Sequence, residues 1–305
     1  MTTPPRTVPA VPAEVPRVER GWVVPVAIGV TLLAWASAFV VIRGVGTALS
    51  PGALALARLL VGTLALGLFT LGRRWLTPTP REWLLLAGYG VLWFGCYNVA
   101  LNFAELTLDA GTTSMVVNIS PILLALSAAL VLKERLHRWI LLGAGISFAG
   151  VLLIGSASGA RGLDDAVGVL AALLAAVVYT VGVLCQKPLL GRLPALQVTF
   201  LGAAIGAVAC LPFAPALLRE AVTAPPPALL GALYLGLVPT ALGFTLWAFA
   251  LQRMPAGRLG LTTYLVPPIA ILLALAAFGE VPAPLAILGG VLCLAGVAVS
   301  RRRPR

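Results

Sequence analysis

Residues 98–134, NVALNFAELTLDAGTTSMVVNISPILLALSAALVLKE, come back 146 positions later as residues 244–280, FTLWAFALQRMPAGRLGLTTYLVPPIAILLALAAFGE. Without a gap, Phe103-Ala104 meets Phe249-Ala250, Ala110-Gly111 meets Ala256-Gly257, Pro121 meets Pro267 and Glu134 meets Glu280. The register runs on to residues 154 and 300, where Gly143 meets Gly289 and Ala149-Gly150-Val151 meets Ala295-Gly296-Val297. Matches of Ala and Leu cost little in so apolar a chain. Pro, Glu and Gly recurring at one offset mark a duplication.

The repeated segment lies in a chain of 305 residues that is 60% hydrophobic and 10% charged, with a mean hydropathy of +1.03. Soluble domains carry about 25% charged residues, so this composition excludes a water-soluble globule. A bilayer needs stretches of about 20 apolar residues to be crossed by helices. Ten such stretches are predicted: 22–42, 52–71, 84–103, 110–132 and 138–155, then 166–186, 195–213, 227–249, 257–279 and 283–300. Membrane β-strands would alternate in polarity over about ten residues, and Pro121 to Leu132 does not. The predicted fold is an all-α membrane protein of ten transmembrane helices. Five belong to a first repeat, 22–155, and five to a second, 156–300, with a disordered tail at 1–21 and a basic tail at 301–305. Five is odd, so the second copy enters the membrane from the opposite side and the repeats are inverted. Inverted repeats recur in alternating-access carriers, where a central site lies between the copies.

Charge sets the orientation. Of the 21 Lys and Arg residues, 17 fall in the two tails and the loops after every even-numbered stretch, three (Arg43, Arg161, Arg219) fall on the other face, and Arg58 lies inside the second stretch. Basic residues stay on the cytoplasmic side, which predicts both termini there. Positive membrane edges also account for the net charge of +11, and binding to nucleic acid is not needed to explain it. Arg17 and Arg20 before an apolar run ending at Ala36-Ser37-Ala38 imitate a cleavable signal; removing it would deprive the first copy of a helix.

With these features in place, the chain resembles the EamA-type members of the drug/metabolite transporter superfamily over residues 22–300. The pattern is distributed: Ala34-Trp35-Ala36-Ser37-Ala38-Phe39, Pro51 with Leu56-Ala57-Arg58, Ala104 through Pro121 to Lys133-Glu134, Tyr179-Thr180, and Ala250 through Pro267 to Gly279-Glu280. It is most similar to the YddG-type amino-acid exporters. The resemblance implies a multi-pass protein of a bacterial inner membrane that exports amino acids, aromatic ones included, or related metabolites by facilitated diffusion or exchange. It also implies a cavity lined by the first, third, fourth, sixth, eighth and ninth helices, with the fifth and tenth structural. Trp35 has Ala176 as its counterpart, so the two copies would line the cavity unequally.

Site candidates come from aromatic and polar residues too deep for the interfacial belt. Trp35, Trp93, Tyr97, Tyr179 and Tyr264 fall near mid-depth and are predicted to wall the substrate site, with Ser37, Asn98 and Asn102 as polar contacts. Each has a plainer reading as bundle packing or interhelical bonding. Pro121 and Pro267 recur at matched positions as candidate hinges, or as static kinks. Arg58 either snorkels or pairs with Glu105 or Asp109, or else meets a substrate carboxylate. The glycines of the fifth and tenth helices permit close approach. Cys96, Cys185, Cys210 and Cys293 lack neighbouring Cys or His and read as packing residues, so no metal, cofactor or catalytic group is expected. The partners expected are a small-molecule substrate and the lipid bilayer. Drug or organic-cation efflux, a membrane enzyme and a channel are the alternatives.

Overall fold

The computed structural model describes residues 22–46, 48–73, 75–108, 113, 116–134, 137–156, 163–278, 284–300 and 302. The two tails, apart from 302, and Asp109, Arg161 and Glu280 lie outside the described residues. Among those described, every regular element is helical. The first half contains α1 (Val23–Val45), α2 (Pro51–Thr70), α3, α4 (Ser120–Val131) and α5 (Arg138–Ser156). Here α3 joins Pro80–Gly88, Tyr89–Cys96 and Tyr97–Thr107. The second half contains α6 (Leu163–Leu189), α7 (Ala195–Ala209), α8, α9 and α10 (Pro284–Ser300). Helix α7 turns by 49° into Leu211–Thr223. Helix α8 joins Pro226–Leu235, Gly236–Gly243 and Phe244–Arg253, and α9 joins Ala256–Gly260, Leu261–Leu265 and Val266–Phe278. Among the described residues, six helices are long and apolar enough to cross a membrane, or seven if the bent pair is one span. Ser120–Val131, Arg138–Gly150 and Ile287–Ser300 are shorter apolar helices.

Local chemistry fixes several ends. Pro51 and Pro80 open their helices in the first turn, where the missing N–H has no partner to lose. Thr79 and Glu82 form a reciprocal capping box at the start of α3. Gly46 and Gly72, at φ 57° and 72°, end α1 and the turn after α2 in a region that a side chain disfavours. Leucines such as Leu64, Leu68, Leu84, Leu130 and Leu170 stand on the outside. An apolar exterior of this kind is tolerated where lipid, not water, surrounds the protein.

The middle pieces of α3 and α8, Tyr89–Cys96 and Gly236–Gly243, are both wound as π-helix. In the second, Pro239 removes a donor from the ladder. At the offset of 146 the two pieces coincide to within one residue, and each holds a glycine, Gly90 or Gly236, against a neighbouring backbone. A Cβ on Gly90 would lie 2.8 Å from the Gly202 carbonyl oxygen on α7, and one on Gly236 would lie 2.8 Å from the Arg58 carbonyl oxygen on α2. A Cβ on Gly206 would likewise lie 2.9 Å from the Gly90 oxygen, and one on Gly62 would lie 3.1 Å from the Gly236 oxygen. The pairing of α3 with α7 therefore repeats that of α8 with α2.

Helices α5 and α10 pack most closely of all. A Cβ on Gly143 would lie 2.5 Å from the Gly296 carbonyl oxygen, and one on Gly150 would lie 2.5 Å from that of Gly289. Going up one helix means going down the other, so the pair is antiparallel. Gly143 corresponds to Gly289 and Gly150 to Gly296, so the first contact becomes the second when the copies are exchanged. Between them, Ser147 Oγ donates to the Cys293 carbonyl oxygen at 3.2 Å, and Cys293 Sγ donates to that of Ser147 at 3.5 Å. Positions 147 and 293 are themselves equivalent.

Pro121 and Pro267 each follow a change of winding. Pro121 is the second residue of α4, after a turn at Asn118-Ile119, and Pro267 is the second residue of the last piece of α9, after the 3₁₀ piece Leu261–Leu265. The Thr263 carbonyl, which Pro267 would orphan, accepts instead from the Val266 N–H at the end of the 3₁₀ piece.

Candidate functional site

One end of the bundle is tied by polar contacts between loops. Glu134 accepts from the backbone N–H groups of Ala256 at 2.8 Å and Gly257 at 3.1 Å. Lys187 donates to the Met254 carbonyl at 2.8 Å, and Gln252 donates to Leu190 and Leu193. Arg192 pairs with Glu82 and donates to the Thr77 carbonyl. All these groups lie in or beside the basic loops. The opposite end has Ser50 N–H donating to Glu220 at 2.7 Å and Asn102 Nδ2 donating to the Pro51 carbonyl at 3.0 Å.

Between the ends lies an aromatic layer. Trp35 on α1 meets Trp247 and Phe244 on α8 at centroid distances of 4.9 and 5.5 Å. Trp93 on α3 meets Tyr179 on α6 edge-on at 4.9 Å and Phe244 at 5.1 Å. Tyr97 stands 6.2 Å from Tyr179. Edge and tilted geometries place ring hydrogens on ring faces, as aromatic quadrupoles favour. The π-wound piece of α8 adds a polar anchor, because the Trp35 indole N–H donates to the Pro239 carbonyl at 3.3 Å.

Above this layer a cavity of about 70 Å³ runs toward the end where α1 and α3 finish and α2 begins. Trp35, Trp93, Tyr179 and Phe244 form its floor; Phe39, Ile42, Tyr97, Leu101 and Val266 form its apolar sides; and Arg58, Asn118, Ser120 and Thr263 supply polarity. Helices α5 and α10 contribute nothing, whereas α2 contributes Arg58. The guanidinium belongs to a residue only 3% exposed, and its Nε donates to Thr240 Oγ1 at 3.2 Å.

Of the eight predicted contacts, Trp35, Trp93, Tyr97 and Tyr179 share this cavity. Asn102 lines an adjoining recess with Arg43 and Glu105. Ser37 is hydrogen-bonded to Tyr234 at 2.8 Å, and Asn98 Nδ2 donates to the Phe94 carbonyl of its own helix at 2.7 Å. Tyr264 is turned toward Ala125, Ile140, Ala144 and Cys293, in the seam between α9 and the α5–α10 pair, and its neighbour Thr263 faces the cavity instead. The sequence reading did not propose Phe244 or Asn118 among the contacts. The available signal for the eighth helix was Phe244 and Trp247, three apart in an apolar stretch.

The sequence pattern of the EamA-like transporter family matches the chain twice, at residues 23–156 and 166–302. A protein named probable terminal-alkyne amino-acid exporter, from Streptantibioticus cattleyicolor, is 38% identical, covering 91% of this chain and 93% of its own. The uncharacterized transporter YdfC of Bacillus subtilis is 34% identical over 86% of each chain. A probable amino-acid metabolite efflux pump of Salmonella typhimurium is 28% identical over 71% of this chain and 76% of its own. A solved crystal structure superposes on 92% of this chain and 99% of its own with a TM-score of 0.74 at 21% identity, a likeness of fold.

Proposed function

Because the chain belongs to the EamA-like transporter family, as a membrane transporter built on a duplicated domain, we propose that it exports amino acids, aromatic ones included, or related small metabolites by alternating access. Ten crossings would form two inverted five-helix copies, with both termini in the cytoplasm of a bacterium and the substrate walled by Trp35, Trp93, Tyr97 and Tyr179. The observation that carries the reading is the cavity itself, whose aromatic floor is contributed by both copies. The antiparallel α5–α10 pair, whose contacts swap into one another under the 146-residue offset, supports the inverted arrangement. The gathering of the basic loops at one end supports its assignment to the cytoplasm. Export is supported by the names of two relatives. Alternation between two conformations of similar halves moves substrate downhill or by exchange without a cofactor.

The test is counterflow. Proteoliposomes preloaded with unlabelled phenylalanine should take up labelled phenylalanine transiently above equilibrium, and uptake should saturate. Flux that neither saturates nor responds to the internal load would identify a channel, and no flux for any amino acid would remove the substrate class.

A further inference from the structure

We propose that Arg58 is the carboxylate-binding group of this cavity, so that the protein selects molecules with a free carboxylate over their amides and amines. The proposal rests on the reading of the cavity as the substrate site. Arg58 carries a fixed positive charge about two turns into α2, in the body of the molecule. Among the described residues, Nε is the one of its five N–H donors with a protein partner, Thr240 Oγ1. The Thr240 hydroxyl is itself held, donating to the Leu235 carbonyl at 2.8 Å, and so offers Arg58 a lone pair. That leaves the terminal fork at the cavity wall, with its side-to-side orientation set.

Among the described residues no carboxylate lies within ion-pair distance of this guanidinium. Glu105 is within electrostatic range but stands in the adjoining recess. A guanidinium fork matches a carboxylate with two parallel hydrogen bonds, and a buried cation without a counter-ion is costly. The aromatic floor lies in the same cavity and would take an apolar side chain while the acid end meets Arg58.

The duplication shows that the fold does not require this charge. Gly236 packs on the Arg58 backbone as its counterpart Gly90 packs on that of Gly202, which makes Gly202 the structural equivalent of Arg58. Thr240 corresponds to Phe94, and a Cβ on Gly202 would lie 3.0 Å from the Phe94 ring. One copy fills this junction with glycine and an aromatic ring. The other fills it with an oriented hydroxyl and a cation that borders the cavity, an asymmetry suited to binding a polar ligand at one place.

Calorimetric titration of the purified protein with phenylalanine, phenylalaninamide, phenylacetate, phenylacetamide and phenethylamine tests the assignment. Each acid should bind about 10- to 100-fold more tightly than its amide, the range expected of charge-assisted hydrogen bonds. Phenethylamine should bind as weakly as the amides. Arg58→Gln should abolish the preference, and Arg58→Lys should keep part of it. Should the glutamine variant fail to fold, the wild-type acid-to-amide ratio and the lysine variant decide alone. Equal affinity for acid and amide with counterflow intact would overturn the role of Arg58 and leave the transport reading standing. A tenfold preference without counterflow would do the reverse. Failure of every carboxylate to bind would overturn the assignment.

Discussion

Trp35 and Trp93 sit in one aromatic layer yet face different fates on truncation. Trp93 is fully buried against Tyr89, Tyr179, Phe244 and Trp247, so Trp93→Ala should destabilise the protein by about 3–5 kcal/mol, read as a lower denaturation midpoint in detergent. Trp35 is only half-buried, with one indole hydrogen bond to the Pro239 carbonyl. Trp35→Ala should leave the level of protein in the membrane near normal and raise the KM for a transported amino acid about tenfold, the loss of one aromatic contact face. Unchanged KM with poor expression would make Trp35 a packing residue. The spacing of Trp93 and Tyr97 was legible because one α-helical turn puts residues four apart on one side. Tyr264 was not, because residues 261–265 wind as 3₁₀ helix, which turns 120° per residue and hands the cavity face to Thr263. Arg58 left two readings open in the sequence; its partner Thr240 is supplied by a helix 182 residues away.

At the level of helices, glycine spacing in the fifth and tenth stretches correctly announced close approach, since only a missing Cβ admits a backbone at that distance. The π-wound pieces of α3 and α8 left no mark in the apolar pattern, because a shift in the hydrogen-bond ladder does not alter which residues are apolar. The prolines did leave a mark, but periodicity could not distinguish a bend from an interruption. Gly296→Leu should force α5 and α10 apart, because a Cβ there already meets the Gly143 carbonyl at 2.5 Å. The expected cost is about 1–3 kcal/mol or more. Gly145→Leu, on the same α5 but with nothing within 4 Å of its added Cβ, should melt within about 0.5 kcal/mol of wild type. Equal midpoints for the two variants, measured by thermal denaturation, would show that the interface gives way freely.

Across the whole molecule, charge and duplication together made the architecture readable: basic loops that are far apart in sequence gather at one end, and the offset of 146 is visible again in which backbones touch. Which loop contacts close was not readable: Glu134 with Ala256 and Gly257 joins residues that no periodicity pairs. An exchange of conformation between two similar halves rotates every point except those on the axis that relates them. Glu134 holds Ala256 and Gly257, the counterparts of Ala110 and Gly111, so the exchange turns this contact into a different one and it belongs to one state. Ser147 and Cys293 are each other's counterparts and already touch, so theirs belongs to both. Ser147→Cys should therefore place two thiols side by side, and mild oxidation should join the halves covalently, seen as resistance to separation after cleavage at a protease site inserted between residues 156 and 163. The stapled transporter should still turn over at roughly the reduced rate; arrest on oxidation, reversed by reductant, would show that the halves do not pivot there. A pin through a stationary point restrains nothing that has to move.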